Sequence, residues 1–137
     1  MAREFIYQHR VTFDETNLVG NVYFAHYARW QGHCREAFLF QEAPGVVRQL
    51  TTGELALVTV DLHMDFLDET FAGDVVDVCM RKGPVSPSRA VMKFEFRRGD
   101  TVLAVGHQSV AAMRRLPEGG LQSTAIPDEL RAALDVY

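Results

Sequence analysis

One long helical stripe set among strands constrains this chain most. From Tyr23 to Gln41 the residues Tyr23, Tyr27, Trp30, Cys34, Ala37 and Gln41 recur at helical spacing, and beyond Gly53 the period drops to two. Leu55 to Phe66 reads as a strand, and Gly73-Asp74 introduces another through Met80. Ala90, Met92, Phe94 and Phe96 alternate with Arg89, Lys93, Glu95 and Arg97. Thr101 to Met113 is apolar on both parities, which predicts a central strand entered through the turn Arg98-Gly99-Asp100. Upstream, Phe5, Tyr7, His9, Val11 and Phe13 alternate with Ile6, Gln8, Arg10 and Thr12 as a half-buried strand. Pro44-Gly45 punctuate the long helix, a shorter helical piece runs through Val46, Val47 and Leu50, and Pro127-Asp128-Glu129 start a helix in the tail from Ile126 to Leu134.

That order gives one helix of roughly five turns for about five strands. A single helix covers only one face of such a sheet. Either the sheet curls around the helix, or a partner subunit covers the rest, so an oligomer is the physical expectation. At 137 residues the chain fits one domain, 1–137, of α+β class.

Charge and composition remove several functional classes. A net charge of −4, with basic residues scattered as the pairs Arg81-Lys82, Arg97-Arg98 and Arg114-Arg115, leaves no electrostatic footprint for nucleic acid. No apolar run is long enough for a membrane helix, and MAREFIYQHR lacks the apolar core of a signal peptide, so a cytoplasmic location is expected. Cys34 and Cys79 lie inside periodic segments without the spacing of a zinc or redox pair, and the five histidines form no recognised metal pattern. There is no Gly-x-Ser-x-Gly elbow and no dinucleotide fingerprint, so neither metal nor cofactor is expected.

The stretch ETNLVGNVYFAHYARWQGHCREAFL is unlike a helix that only packs. Asn17 and Gly20 mark a turn just ahead of it, and Tyr27, Gln31 and Arg35 fall on one stripe at four-residue steps. The segment NLVGNVYFAHYARW resembles the DPAGIVYFPNYFRW pattern of the 4-hydroxybenzoyl-CoA thioesterase branch of the hotdog fold, with Gly20, Val22, Phe24, Tyr27, Arg29 and Trp30 in register. The later stretch MDFLDETFAGDVVDV is similar to that family's later strand and Gly-Asp turn. Where the branch carries its catalytic aspartate, this chain has Asn17. The same departure marks the thioesterases that accompany enediyne polyketide synthases, which the segment from Val11 to Leu39 resembles.

The resemblance implies a curled antiparallel five-stranded sheet wrapped around a long central helix, assembled as a homotetramer built from dimers. It further implies hydrolytic release of a polyene β-ketoacyl chain from the acyl carrier protein domain of an iterative polyketide synthase. Catalytic roles are implied for Asn17, Tyr27 and Arg35, with the Phe24 amide as oxyanion donor and Gly20, Tyr23 and Gln31 at the substrate.

The residues themselves leave alternatives open. An amide at position 17 cannot act as base or nucleophile, so Asn17 can only position and polarise, or it can be a turn residue. First-turn N–H groups near Tyr23 and Phe24 are ready oxyanion donors, unless Asn21 caps the helix and takes them. Tyr27 equally suits core packing, and Arg35 a solvated or salt-bridged surface. Asp65, Asp68 and Glu69, near a strand end, are alternative acids or bases or simply solvated loop residues. The hairpin Pro84-Val85-Ser86-Pro87-Ser88 has only Arg81, Lys82 and Arg89 beside it for nucleotide phosphates, which favours a carrier protein over CoA. A general acyl-CoA thioesterase and a non-catalytic acyl-binding module are the competing readings.

Overall fold

The computed structural model describes residues 3–137. Strand β1 (Phe5–Arg10) is followed by a 3-10 turn (Phe13–Glu15), helix α1 (Ala25–Glu42) and helix α2 (Pro44–Thr52). Strands β2 (Leu55–Phe66), β3 (Val75–Val85), β4 (Arg89–Arg98) and β5 (Thr101–Arg115), a short β6 (Leu121–Ser123) and helix α3 (Asp128–Asp135) complete the order. The sheet is antiparallel in the order β1-β3-β4-β5-β2, with β6 added along the end of β5. It curls around α1 without closing into a barrel.

The helix packs because its buried stripe is large and nearly continuous. Tyr27, Trp30, Cys34, Phe38 and Leu39 are buried on it, and Gln31 is buried among them. They join one core cluster with Val76, Val78 and Met80 of β3 and Met92, Phe94 and Phe96 of β4, the alternating positions of those strands. Fully burying each such side chain stabilises the fold by about 1.5–3 kcal/mol. The opposite parity of β4 carries Lys93, Glu95 and Arg97 on the outer face.

Two boundaries and one element differ from the sequence expectation. β1 stops at Arg10 because Thr12 accepts the 3-10 turn, with the Glu15 carboxylate taking the Thr12 amide at 2.9 Å. α1 starts at Ala25 rather than near Tyr23, since the Tyr23 amide is held by the Glu15 carbonyl at 2.9 Å. A sixth strand appears where none was expected. Gly119 and Gly120, both at positive φ, turn the chain back so that Leu121 to Ser123 pair with β5.

β2 forms one edge of the sheet, and its outer side has no strand partner among the described residues. It is 12 residues long, and Val58, Val60, Leu62 and Phe66 on it are exposed. A long apolar edge of this kind is what proteins normally cover.

Candidate active site

The loop between β1 and α1 is built around one buried carboxylate. Glu15 accepts from the His9 ring at 2.8 Å, from the Trp30 indole at 2.8 Å and from the Thr12 amide. Burial alone raises its pKa, but the bonds from Thr12, His9 and Trp30 overcome that and hold it at about 2. With both its side chain and its carbonyl engaged, Glu15 clamps the loop to the helix. Between those clamps Gly20, at φ 95, closes a turn by donating to the Asn17 carbonyl at 2.9 Å, and the Asn17 amide donates to the Asn21 carbonyl at 2.7 Å.

This turn places Asn17 on the wall of a hollow of about 240 Å³, together with Phe24, Tyr27, Asp68, Glu69 and Thr70. The segment after β2 is drawn alongside by the Val22 amide, which donates to the Thr70 carbonyl at 2.8 Å, and by a bridge between Asn21 and Phe71. Tyr27 does two jobs. Its ring packs edge-on against Phe66 and Phe96, and its hydroxyl meets the Thr70 hydroxyl at 2.5 Å. Burial raises its pKa, so it is a neutral hydroxyl at physiological pH.

Asn21 does not cap the helix. Its side-chain oxygen instead accepts from Asn17 Nδ2 at 3.0 Å, and α1 has no side-chain cap. With Tyr23 already donating to Glu15, the Phe24 and Ala25 amides are left without an acceptor among the described residues, at the positive end of the helix dipole. That end can hold negative charge on an oxygen bound in the hollow.

Gln31 and Arg35 form a separate layer. Two helical turns, about 12 Å of rise, separate Arg35 from Tyr27. Arg35 Nη1 donates to Gln108 Oε1 on β5 at 2.7 Å and to Thr59 Oγ1 on β2 at 3.1 Å. No carboxylate pairs with it among the described residues, so this half-buried arginine is held by neutral acceptors and not by a salt bridge. Burial lowers its pKa, with Glu36 opposing. Its Nε is buried without a partner.

The structure therefore brings Asn17, Phe24 and Tyr27 into one hollow, gives Gly20 the turn that shapes it, and sets Gln31 and Arg35 apart. Tyr23 is 45% exposed, its ring tilted against Phe24 and outside the hollow. Asp68 and Glu69 reach the hollow, whereas Asp65 lies on the outer face beside His63. Sequence reasoning missed Thr70, Thr59, Glu15 and Gln108. Only Gln108 left a signal, as a glutamine on the helix-facing parity of an otherwise apolar strand. A wider hollow of about 410 Å³, lined by Arg81, Lys93 and His107, opens on the outer face, across the sheet from Tyr27. Among the described residues no group of three or more His, Cys, Asp or Glu is arranged to hold a metal, and no helix is long and apolar enough to cross a membrane.

The fold is shared with solved enzymes over nearly its whole length. The chain is 52% identical to the dynemicin thioesterase, whose crystal structures describe polyene binding, with a TM-score of 0.94 and coverage of 98% of this chain and 97% of that one. The 1,4-dihydroxy-2-naphthoyl-CoA thioesterase from Synechocystis is 22% identical with a TM-score of 0.86, covering 97% of this chain and 96% of its own. A gentisyl-coenzyme A thioesterase is 18% identical with a TM-score of 0.81, covering 95% and 98%. No curated protein sequence matches. Residues 11–134 match the thioesterase-like superfamily, a span that includes the loop, the helix and every strand from β2 onward. With that match, and with a hollow at the positive end of a helix inside a curled hotdog sheet, the chain belongs to the thioesterase-like superfamily and is a thioester hydrolase.

Proposed function

We propose that the chain hydrolyses a polyene β-ketoacyl thioester carried on the acyl carrier protein domain of an enediyne polyketide synthase. The observation that carries this reading is the 52% identity with the dynemicin thioesterase along almost the entire chain. The hollow supports it chemically. Water attacks the thioester carbon, the carbonyl oxygen becomes an oxyanion facing the Phe24 amide, and collapse expels the pantetheine thiolate, which leaves as thiol while the acyl chain departs as an acid. Asn17 orients the water through its side-chain amide, and Tyr27 orients the carbonyl. Oxyanion donors of this kind contribute roughly 10²- to 10³-fold in rate. Arg35, a half-buried cation whose hydrogen-bond partners are neutral oxygens, is suited to negative charge or a keto oxygen on the substrate.

A carrier protein is favoured over CoA by the β3–β4 hairpin. Of its flanking cations Arg81, Lys82 and Arg89, Lys82 is already paired with Asp135. The unpaired β2 edge supports joining of two protomers there, with the site completed between subunits and two dimers forming a homotetramer. Presenting one β-ketoacyl group on the carrier domain, on CoA and on N-acetylcysteamine tests the assignment. Preference for the carrier domain is expected. Equal or better turnover of the CoA thioester makes the chain a general acyl-CoA thioesterase, and no hydrolysis above the rate without protein makes it an acyl-binding module.

Asp68 and Glu69 support a second reading of the mechanism, because both carboxylates share the hollow with Asn17. One of them then takes the proton from water. Loss of activity in Asp68→Asn or Glu69→Gln, with an acid limb that disappears from the pH profile, selects it over the carboxylate-free route.

A further inference from the structure

Arg35, Gln108 and Gln31 form a hydrogen-bond relay whose direction is fixed at one end. Arginine has donors and no acceptor, so Gln108 must turn its oxygen toward Arg35, and it receives Nη1 at 2.7 Å. Its nitrogen is then committed to the other side, where Gln108 Nε2 donates to Gln31 Oε1 at 3.4 Å. Gln31 in turn has no choice of orientation. A flip of its amide would face nitrogen to nitrogen. Its Nε2 is therefore forced to be the free end of the relay, and this nitrogen is fully buried with no acceptor among the described residues.

Buried amide groups without partners are rare and call for a physical reason. No protein oxygen among the described residues takes a hydrogen bond from it. Gln31 Nε2 looks toward the Met64–Gly106 pair of β2 and β5, where a Cβ added to Gly106 would stand 3.3 Å from that nitrogen and 3.2 Å from Met64 Sδ. Gln31 lies one turn, about 6 Å of helix rise, inward from Tyr27 at the hollow. Gln31 does not line the hollow itself, so an acyl chain whose thioester lies beside Tyr27 would reach this donor only by running inward along the stripe.

We propose that Gln31 Nε2 is a specificity-determining donor for a carbonyl oxygen on the substrate's acyl chain, and that Gln108 is the positioning residue that sets its polarity. The inference rests on the thioesterase reading above and adds to it the residue that recognises the keto oxygen and the residue that orients it. An apolar chain of the same length leaves the amide unpaired, and a site built to hydrogen-bond discriminates strongly against a substrate lacking the group.

The test uses the full chain and N-acetylcysteamine thioesters of a single chain length, unsubstituted, 3-oxo, 5-oxo and 3-hydroxy. Wild type is expected to favour an oxo substrate over the unsubstituted one by at least tenfold in kcat/KM. Gln31→Met, which keeps the length and removes the donor, should cut that ratio about tenfold. Gln31→Glu offers an acceptor in its place and should shift preference from the oxo to the hydroxy substrate. Gln108→Met, remote from the chain, should lower the same oxo ratio, a change that a purely packing role does not produce. An oxo ratio near one in wild type, or a ratio unmoved in both Gln31 variants, overturns the proposal while leaving the thioesterase reading standing. Failure of wild type to hydrolyse any of the four takes down the thioesterase reading, and this inference with it.

Discussion

The Trp30 indole nitrogen and the Glu15 carboxylate meet at 2.8 Å, and this bond ties α1 to the loop that carries Asn17. The folded state holds the Glu15 pKa at about 2, well below the 4.5 of an ordinary glutamate. A lowered pKa means its contribution is complete above the unfolded value and is lost as pH falls toward the folded one. Stability to denaturant should therefore drop between about pH 5 and 2, by at most roughly 3 kcal/mol from this group. Glu15→Gln should be less stable at neutral pH and flatter over that window. Parallel profiles for wild type and variant would show that the drop comes from other carboxylates.

Asn17→Ala should cost roughly 10²- to 10³-fold in turnover if the amide positions water or carbonyl. Asn17→Asp is expected not to raise the rate. It removes the donor to Asn21 Oδ1 and sets a negative charge beside the place where an oxyanion forms. Within one protomer no rescue comes from Arg35, which lies outside the hollow and ends against Thr59 of β2 and Gln108 of β5. Steady-state rates on one β-ketoacyl thioester decide it, and a several-fold faster Asp variant would refute the positioning role.

Arg35→Ala should lower turnover by a similar factor while the protein still folds. The substitution leaves Gln108 Oε1 without its donor, a loss of about 1–3 kcal/mol that a domain of ordinary stability survives. Arg35→Lys should recover only part of the rate, since the ammonium lacks the planar fork. Thermal melts beside the kinetics separate the two effects, and full activity in the alanine variant assigns Arg35 to structure alone.

Thr70→Val leaves the Tyr27 hydroxyl buried without its partner, so it should destabilise by about 1–3 kcal/mol and slow hydrolysis. Adding Tyr27→Phe removes the other end and should return most of the stability without returning the rate. A double-mutant cycle by denaturation reads the coupling directly. Strictly additive losses mean that the pair does not interact.

Light scattering at micromolar concentration should give four protomers per particle, with smaller species after Val60→Lys places a charge on the β2 edge. A stable monomer in wild type sinks the proposed assembly.

The elements were legible because each has one dominant period: the stripe through Tyr27, Trp30 and Cys34 marked α1, and alternation about Phe94 marked β4. The hollow was half legible. Asn17, Phe24 and Tyr27 lie close in sequence, so a local pattern could group them, whereas Thr70 joins them through a backbone bond from the distant Val22 that no local pattern reports. Arg35 shares a helical stripe with Tyr27 but lies in another layer of the fold. Shared helical spacing fixes a face of the helix but not the depth at which each side chain ends, and Arg35 ends against β2 and β5. Glu15 left no trace, because a glutamate in a turn reads as solvated until a tryptophan from elsewhere buries it.

Gly106 sets a limit on redesign. A Cβ there would come within 2.3 Å of the His63 carbonyl oxygen, which belongs to the neighbouring strand and cannot rotate aside as a side chain does. The contact beneath Gln31 is thus dictated by how closely two backbones approach. Libraries that aim to retune acyl selectivity by saturating position 106 should yield misfolded protein instead of new specificities. Variation at Met64 and Gln31, whose side chains lie against Gly106, can change that contact without parting β2 from β5.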